Sequence, residues 1–141
     1  MEDSIAHLVI KVKSAFSTYL NRKFSSMGLD LNTEQFVVLM ILWERSGQRQ
    51  QDIADRTGKD KASVARLIAS MEKRNLIIRK DDEKDSRQKL IFLTEEGTEI
   101  KQKILPVLGM DMRSLHKDIS PEEMKTCTKV LKLMYQNLSG Q

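Results

Sequence analysis

Three side chains near the middle of the chain have types and spacing that suit contact with the edges of nucleic-acid bases. Ala62, Ser63 and Arg66 fall on one face of a short predicted helix, opposite an apolar stripe. An arginine can donate two hydrogen bonds to a guanine edge, a serine hydroxyl can serve a base or a phosphate, and an alanine permits close approach to a thymine methyl group. We interpret this face as a base-reading surface, although Arg66 taken alone would also fit a solvated position.

A second group of candidate residues lies in a predicted loop between two short strands. Arg87 suits a narrow minor groove, where the negative potential of DNA is focused. Asp85 lies two residues earlier and is placed to hold the Arg87 guanidinium through a charge-assisted hydrogen bond. We interpret the neighbouring acidic residues Asp81, Asp82 and Glu83 as solvated charges.

Basic residues around these two groups are predicted to contact phosphates, and they are Arg49, Lys59, Lys61 and Lys89. The surplus positive charge of the chain lies in the same segment, because residues 45–89 contain 13 Lys or Arg and 8 Asp or Glu, whereas the rest of the chain is nearly neutral. Basic charge on a compact module is typical of a protein that binds a phosphate backbone. The excess alone would also fit an ordinary solvated surface.

Enzyme chemistry finds little support in the sequence. We see no nucleophile–base pair, no glycine-rich phosphate loop and no metal-ligand spacing, so we predict no catalytic activity, no cofactor and no metal. The single cysteine, Cys127, excludes an internal disulfide and is interpreted as a small buried hydrophobe rather than a redox sensor. His7 and His116 are far apart in sequence and are assigned to surface or interface positions.

Hydropathy gives no sign of a membrane segment. The longest unbroken apolar run, residues 36–43, is eight residues long, whereas a spanning helix needs about 20. The N-terminal residues are acidic where a signal peptide would be basic. We therefore expect a cytoplasmic protein with no membrane partner.

The elements that position the candidate residues form a mainly α-helical fold with a small β-hairpin. Apolar residues at three- and four-residue spacing predict six helices, with Gly58 closing the third and Asp60 capping the fourth. Residues 76–79 and 89–93 predict two strands, and residues 49–50 a further short one. Helix, turn, helix and hairpin in this order predict a winged helix-turn-helix.

The remaining helices are predicted to serve a second purpose. The first helix and the last two carry more apolar surface than a winged module could cover, which favours packing across a two-fold axis with a second chain. We assign Trp43, Tyr135 and the Met residues at helical spacing to the core rather than to a ligand pocket.

The motifs resemble those of the multiple antibiotic resistance regulator (MarR) family of bacterial transcription factors over nearly the whole chain. The resemblance rests on Leu31-Asn32-Thr33-Glu34-Gln35-Phe36, Asp52-Ile53-Ala54, residues 67–77, Asp85-Ser86-Arg87, Leu93-Thr94 and Gly97. The Asp-x-Arg tip, followed by a strand and Leu-Thr, is the most specific part. Asn75 departs from the family, which usually has Gly there, and Asn tolerates the left-handed conformation that this turn needs.

The resemblance implies a single domain, residues 1–141, in which residues 30–95 form the winged helix and residues 1–29 and 96–141 form dimerisation helices. It implies a homodimer on double-stranded DNA, with the fourth helix in the major groove and the hairpin, or wing, in the minor groove. We expect a repressor of a pseudo-palindromic operator that responds to a small aromatic effector. The alternative is a winged-helix protein–protein interaction module, which the acidic wing would also suit.

Overall fold

The structure is a computed structural model that describes residues 4–140, and these residues form six helices and three short strands. In chain order the elements are α1 (Ile5–Ser26), α2 (Thr33–Glu44), β1 (Gln48–Arg49), α3 (Gln50–Thr57), α4 (Lys61–Lys73), β2 (Ile77–Asp81), β3 (Lys89–Leu93), α5 (Glu95–Leu115) and α6 (Pro121–Ser139). This order confirms the predicted mainly helical fold with a hairpin. Residues 1–3 and 141, which belong to the predicted dimerisation segments, lie outside the described residues.

The described residues divide into two compact units, one ending at Lys101 and the other beginning at Gln102. The first unit contains α1 to β3 and the start of α5. Its core is aliphatic with two aromatic contacts, since the Phe36 ring lies 5.2 Å from that of Phe24 and 5.9 Å from that of Trp43. The assignment of Trp43 to the core is consistent with this packing. Fully buried side chains from α2, α3, α4, β2 and β3 complete this core, and they include Val38, Leu39, Ile53, Val64, Ile68, Met71, Ile77 and Ile91.

Local chemistry sets the limits of α3 and α4. Gly58 ends α3 in the left-handed conformation with a φ of 70°, which costs glycine little because it has no Cβ. Asp60 then caps α4. After α4 the chain reverses at Asn75, which has a φ of 60°, and the Leu76 amide donates to the Met71 carbonyl at 3.1 Å. The prediction that Asn75 adopts the left-handed conformation is confirmed.

The three strands form an antiparallel sheet in the order β1-β3-β2. Gln48 lies opposite Ile91, and Ile77 lies opposite Leu93. The predicted strand at residues 49–50 is displaced by one residue, because Gln50 already belongs to α3. The sheet holds the hairpin loop beside α3, which places the wing next to the helix-turn-helix.

The start of α5 is fixed to the winged module by polar contacts. Thr94 Oγ1 donates to the Asn75 carbonyl at 2.7 Å and accepts from the Gly97 amide at 3.1 Å. Trp43 Nε1 donates to the Gly97 carbonyl at 3.0 Å. A Cβ at Gly97 would lie 2.3 Å from the Leu76 carbonyl oxygen, so this close approach requires glycine.

In the second unit, α6 begins with the predicted cap, since Ser120 Oγ accepts from the Glu123 amide at 3.0 Å and Pro121 follows. None of the residues of α6 is buried in the described chain. Tyr135 is 56% exposed and Cys127 is also exposed, so the assignments of both residues to buried positions are wrong for the single chain. The physical reason is that helical spacing identifies an apolar stripe but not whether the same chain covers it.

Membrane-crossing helices were not expected, and among the described helices none is sufficiently long and apolar to span a bilayer.

Candidate nucleic-acid interface

The beginning of α4 is organised by a hydrogen-bonded chain of three side chains. Asp60 Oδ1 accepts from the Ser63 amide at 2.8 Å, and Asp60 Oδ2 accepts from the Ser63 hydroxyl at 2.8 Å. Arg66 Nη2 donates to Ser63 Oγ at 3.3 Å. The bonds from the Ser63 amide and then from its hydroxyl lower the pKa of Asp60, because both stabilise the carboxylate form. The Ser63 hydroxyl therefore has hydrogen-bond partners on two sides. Its bond to Arg66 restrains the Arg66 side chain on the face of α4 that carries Ser63.

The two faces of α4 differ in burial, as the sequence predicts. Val64, Ile68 and Met71 are fully buried, whereas Ala62 and Arg66 on the opposite side are exposed. A helix anchored by one apolar stripe offers its other face to a partner. The donors of the candidate base-reading group thus lie at the surface.

The wing loop is shaped by two aspartates that accept hydrogen bonds from backbone amides two residues ahead. Asp85 Oδ1 accepts from the Arg87 amide at 3.1 Å and also from Arg87 Nε at 3.1 Å. The Arg87 guanidinium and then its amide hold the pKa of Asp85 below its ordinary value. The predicted hydrogen bond between these side chains is confirmed, and Arg87, whose side chain is 89% exposed, projects from the loop.

Asp82 is the second of these aspartates, and its interpretation as a solvated charge is wrong. It is only 9% exposed, and its Oδ1 accepts from the Lys84 amide at 2.9 Å. Its Oδ2 lies 3.8 Å from Arg49 Nη2 on β1. Asp82 is buried because it supplies acceptors that close the loop and because β1 brings a cation to it, a contact between residues far apart in sequence.

The four basic residues predicted to contact phosphates differ in whether a carboxylate of the same chain already pairs with them. Lys59 Nζ lies 2.7 Å from Glu34 Oε1 on α2, Arg49 pairs with Asp82 as described, and Lys89 pairs with Asp81. Lys61 is exposed, and no ion pair joins it to another residue of the range 4–140. A phosphate would therefore compete with a carboxylate for three of these four cations.

A groove of about 680 Å³ brings the helix and wing groups together. Its lining comes from α3, α4 and the wing, and includes Lys61, Ala62, Arg87 and Lys89. Ser63 and Arg66 lie outside this lining, on the adjoining surface of α4. Lys59 lines another cavity, of about 650 Å³, together with Lys13 and Glu34.

Sequence reasoning did not single out three glutamines that line the same groove, which are Gln50, Gln51 and Gln88. Gln50 and Gln51 open α3, and Gln88 follows Arg87 in the wing. Their proximity depends on how β1 and β3 pair, so no local signal could have identified them. In the described range, no group of three or more His, Cys, Asp or Glu side chains is arranged to hold a metal ion.

Comparisons with known proteins agree with this architecture. The MarR family model matches residues 31–89. The HTH-type transcriptional regulator MhqR of Bacillus subtilis (strain 168) is 27% identical over 118 residues, which cover 84% of this chain and 80% of MhqR. The MepR–DNA complex of S. aureus has a TM-score of 0.86 at 24% identity, covering 96% of this chain and 98% of MepR. The PcaV regulator from Streptomyces coelicolor, solved with its natural ligand, has a TM-score of 0.81 at 18% identity and covers 95% and 93% of the two chains.

Proposed function

Since the chain belongs to the MarR family of DNA-binding transcriptional regulators, we propose that it is a homodimeric repressor of a pseudo-palindromic operator. The observation that carries this proposal is the groove in which Lys61 and Ala62 of α4 meet Arg87 of the wing. Because its relatives are transcriptional regulators, the prediction that the chain is not an enzyme is confirmed, and the interaction-module alternative is not favoured.

In this proposal α4 enters the major groove and the wing enters an adjacent minor groove. Arg66 donates to a guanine edge, Ser63 assists it, and Ala62 permits close approach to the bases. Arg87 is the minor-groove residue, and Asp85 orients its guanidinium. The phosphate contacts are the four basic residues named above, Arg49, Lys59, Lys61 and Lys89.

The homodimer is proposed from apolar side chains that the single chain leaves exposed. In α1 these side chains repeat at three- and four-residue spacing, and in α6 they occupy a similar stripe. Large apolar surfaces of this kind mark interaction sites, and a second copy is the simplest partner that can cover both. We propose that residues 30–95 are the DNA-binding region and residues 1–29 and 96–141 the dimerisation segments. The exposed side chains include Ile5, Val9, Val12, Val130, Leu131, Tyr135 and Leu138.

The test of DNA binding begins with selection of bound duplexes from a random pool, followed by fluorescence anisotropy titrations at several salt concentrations. Arg66→Ala is expected to reduce discrimination at one base position about tenfold, the size of one lost bidentate contact. Arg87→Ala is expected to weaken binding and to reduce the salt slope by about 1. Arg56→Ala, which removes an exposed arginine that is not among the proposed DNA contacts, is the control. Wild-type behaviour of both interface variants would refute the site, and absence of a salt-sensitive specific complex would refute the function.

We propose that a small aromatic acid acts as the effector and binds in the cavity of about 650 Å³ between α1, the start of α2 and the α3–α4 turn. Lys13 and Lys59 supply positive charge to this cavity, and Val37 supplies an apolar wall. PcaV, which shares the fold, has a natural ligand. Isothermal titration calorimetry with substituted benzoates tests the proposal. Lys13→Ala should weaken binding of the acids, whereas equal affinities of wild type and variant would show that the acids do not bind at this cavity.

A further inference from the structure

A buried glutamine on α2 makes hydrogen bonds to the far end of α4. Gln35 is 6% exposed. Its Oε1 accepts from Arg74 Nη1 at 2.9 Å and from the Asn32 amide at 3.1 Å, and its Nε2 lies 3.5 Å from Ser70 Oγ. The bond from Asn32 belongs to the capping box of α2. The contacts to Arg74 and Ser70 have no role in capping α2.

These two partners lie one helical turn apart at the C-terminal end of α4. Arg74 is the C-cap residue of α4, and its Nη2 also lies 3.7 Å from Asp30 Oδ2 in the segment before α2. The end of α4 is thus held by directional bonds from α2 and from the segment that precedes it. At the other end, the cap of α4 is supplied by its own Asp60.

Glu72 of α4 also accepts from the Arg79 amide and from Arg79 Nε of β2, at 3.1 and 3.2 Å. Most of the other packing of α4 is apolar and less directional. Val64, Ile68 and Met71 are fully buried, but apolar burial depends on area and tolerates small rotations or tilts of a helix. Hydrogen bonds weaken steeply with poor angles. The Gln35 contacts therefore restrict orientations of α4 that the apolar core alone would allow.

The distance along α4 converts a small tilt into a displacement at the bases. Arg66 lies eight residues before Arg74, which is about 12 Å at 1.5 Å per residue. A tilt of about 5° at the anchored end would move Arg66 by about 1 Å, whereas binding groups need placement within about 0.5 Å. Loss of the anchor should therefore affect base discrimination more than general attraction to DNA.

We propose that Gln35 is a positioning residue that fixes α4 for base reading through its bonds to Arg74 and Ser70. This inference rests on the proposed function of α4 as the DNA-reading helix. Gln35 does not itself touch DNA in the proposal. A purely structural role would lower stability without altering the ratio of affinities for specific and non-specific DNA.

The test measures that ratio, operator duplex against a scrambled duplex, for full-length variants whose folding is checked by circular dichroism. Gln35→Met removes all three hydrogen bonds with little change of shape, and Arg74→Met removes the bridge while leaving the capping box intact. Each is expected to lower the ratio about tenfold, comparable with one lost base contact. Gln35→Glu keeps the acceptor for Arg74 and the capping box, and should stay within about threefold of wild type.

Gln48→Met is the matched control. Gln48 is 4% exposed, and its Nε2 donates to the Ile41 and Arg45 carbonyls, so its loss should lower the melting temperature and leave the ratio unchanged. An unchanged ratio of affinities for Gln35→Met overturns the inference. If Gln35→Met does not fold, an unchanged ratio for Arg74→Met overturns it instead. A loss in Gln48→Met equal to that in Gln35→Met overturns it as well. If the wild-type protein does not discriminate between the duplexes, the proposed function is refuted, and so is this inference, which rests on it.

Discussion

The ion pair between Lys59 and Glu34 limits how strongly Lys59 can bind a phosphate. The two atoms lie 2.7 Å apart, and the side chains are 35% and 59% exposed. If Lys59 contacts DNA, the phosphate must compete with the Glu34 carboxylate. Replacing Glu34 by Gln removes the competitor but keeps a side chain of nearly the same shape. We therefore predict that Glu34→Gln binds operator DNA more tightly than wild type.

The size of this gain follows from the exposure of the pair. Exposed ion pairs contribute about 0.2–1 kcal/mol, which corresponds to an affinity gain of about 1.4- to 5-fold. The gain should be largest at low salt, because added ions screen the pair. The folded protein should lose stability by no more than about 1 kcal/mol, since the same pair contributes to folding.

Fluorescence anisotropy titration of a labelled operator measures the gain, and Glu44→Gln is the matched control. Glu44 pairs with Arg56 at the same distance of 2.7 Å, with both side chains exposed, and neither residue belongs to the proposed interface. Both variants change the net charge equally, so an equal gain in the two would show a general charge effect. The reasoning would also be refuted if Glu34→Gln raised the affinity equally in a protein that already carries Lys59→Ala, because the gain depends on the release of Lys59.

Three further outcomes are expected from the structure. Asp60→Ala should lower the melting temperature at pH 7, and the difference from wild type should shrink as the pH falls below 3.8. The reason is that a carboxylate with a lowered pKa stabilises the fold above its unfolded pKa and loses that contribution when it is protonated. A difference in melting temperature that does not depend on pH would contradict this prediction. Asp82→Ala should speed hydrogen exchange at the Lys84 amide, whose bond to Asp82 measures 2.9 Å, whereas the exposed Glu83→Ala should not. Gly97→Ala should reduce the free energy of unfolding, measured in urea, by about 1–3 kcal/mol, because the added Cβ would lie 2.3 Å from the Leu76 carbonyl oxygen. Gly109→Ala is the control and should be neutral or stabilising, because the added Cβ would meet open space.

The features that could be predicted from the sequence depend on residues close together in the chain. Asp60 caps α4 and bonds Ser63 three residues later, and Asp85 holds Arg87 two residues later. The left-handed turn at Asn75 follows from the apolar stripes on either side of it and from the preference of Asn for that conformation. Such contacts need only local geometry, so type and spacing were sufficient to identify them.

The features that could not be predicted depend on contacts between distant parts of the chain. Asp82 is buried because β1 brings Arg49 to it, and Gln35 is bridged to Arg74 across 39 residues. Periodicity located the apolar stripe of α6 but could not show that Tyr135 is 56% exposed in a single chain. A pattern records that a side chain suits burial, whereas the surface that buries it is a property of the folded assembly.

The hydrogen bond from Trp43 to Gly97 makes an optical measurement available. The chain has a single tryptophan, and its indole nitrogen donates to the first turn of α5 at 3.0 Å. Because indole emission depends on the polarity and hydrogen bonding around the ring, any change at this junction should shift the intrinsic fluorescence. The protein therefore contains its own label-free reporter, placed where the winged module joins α5, for following operator and effector titrations.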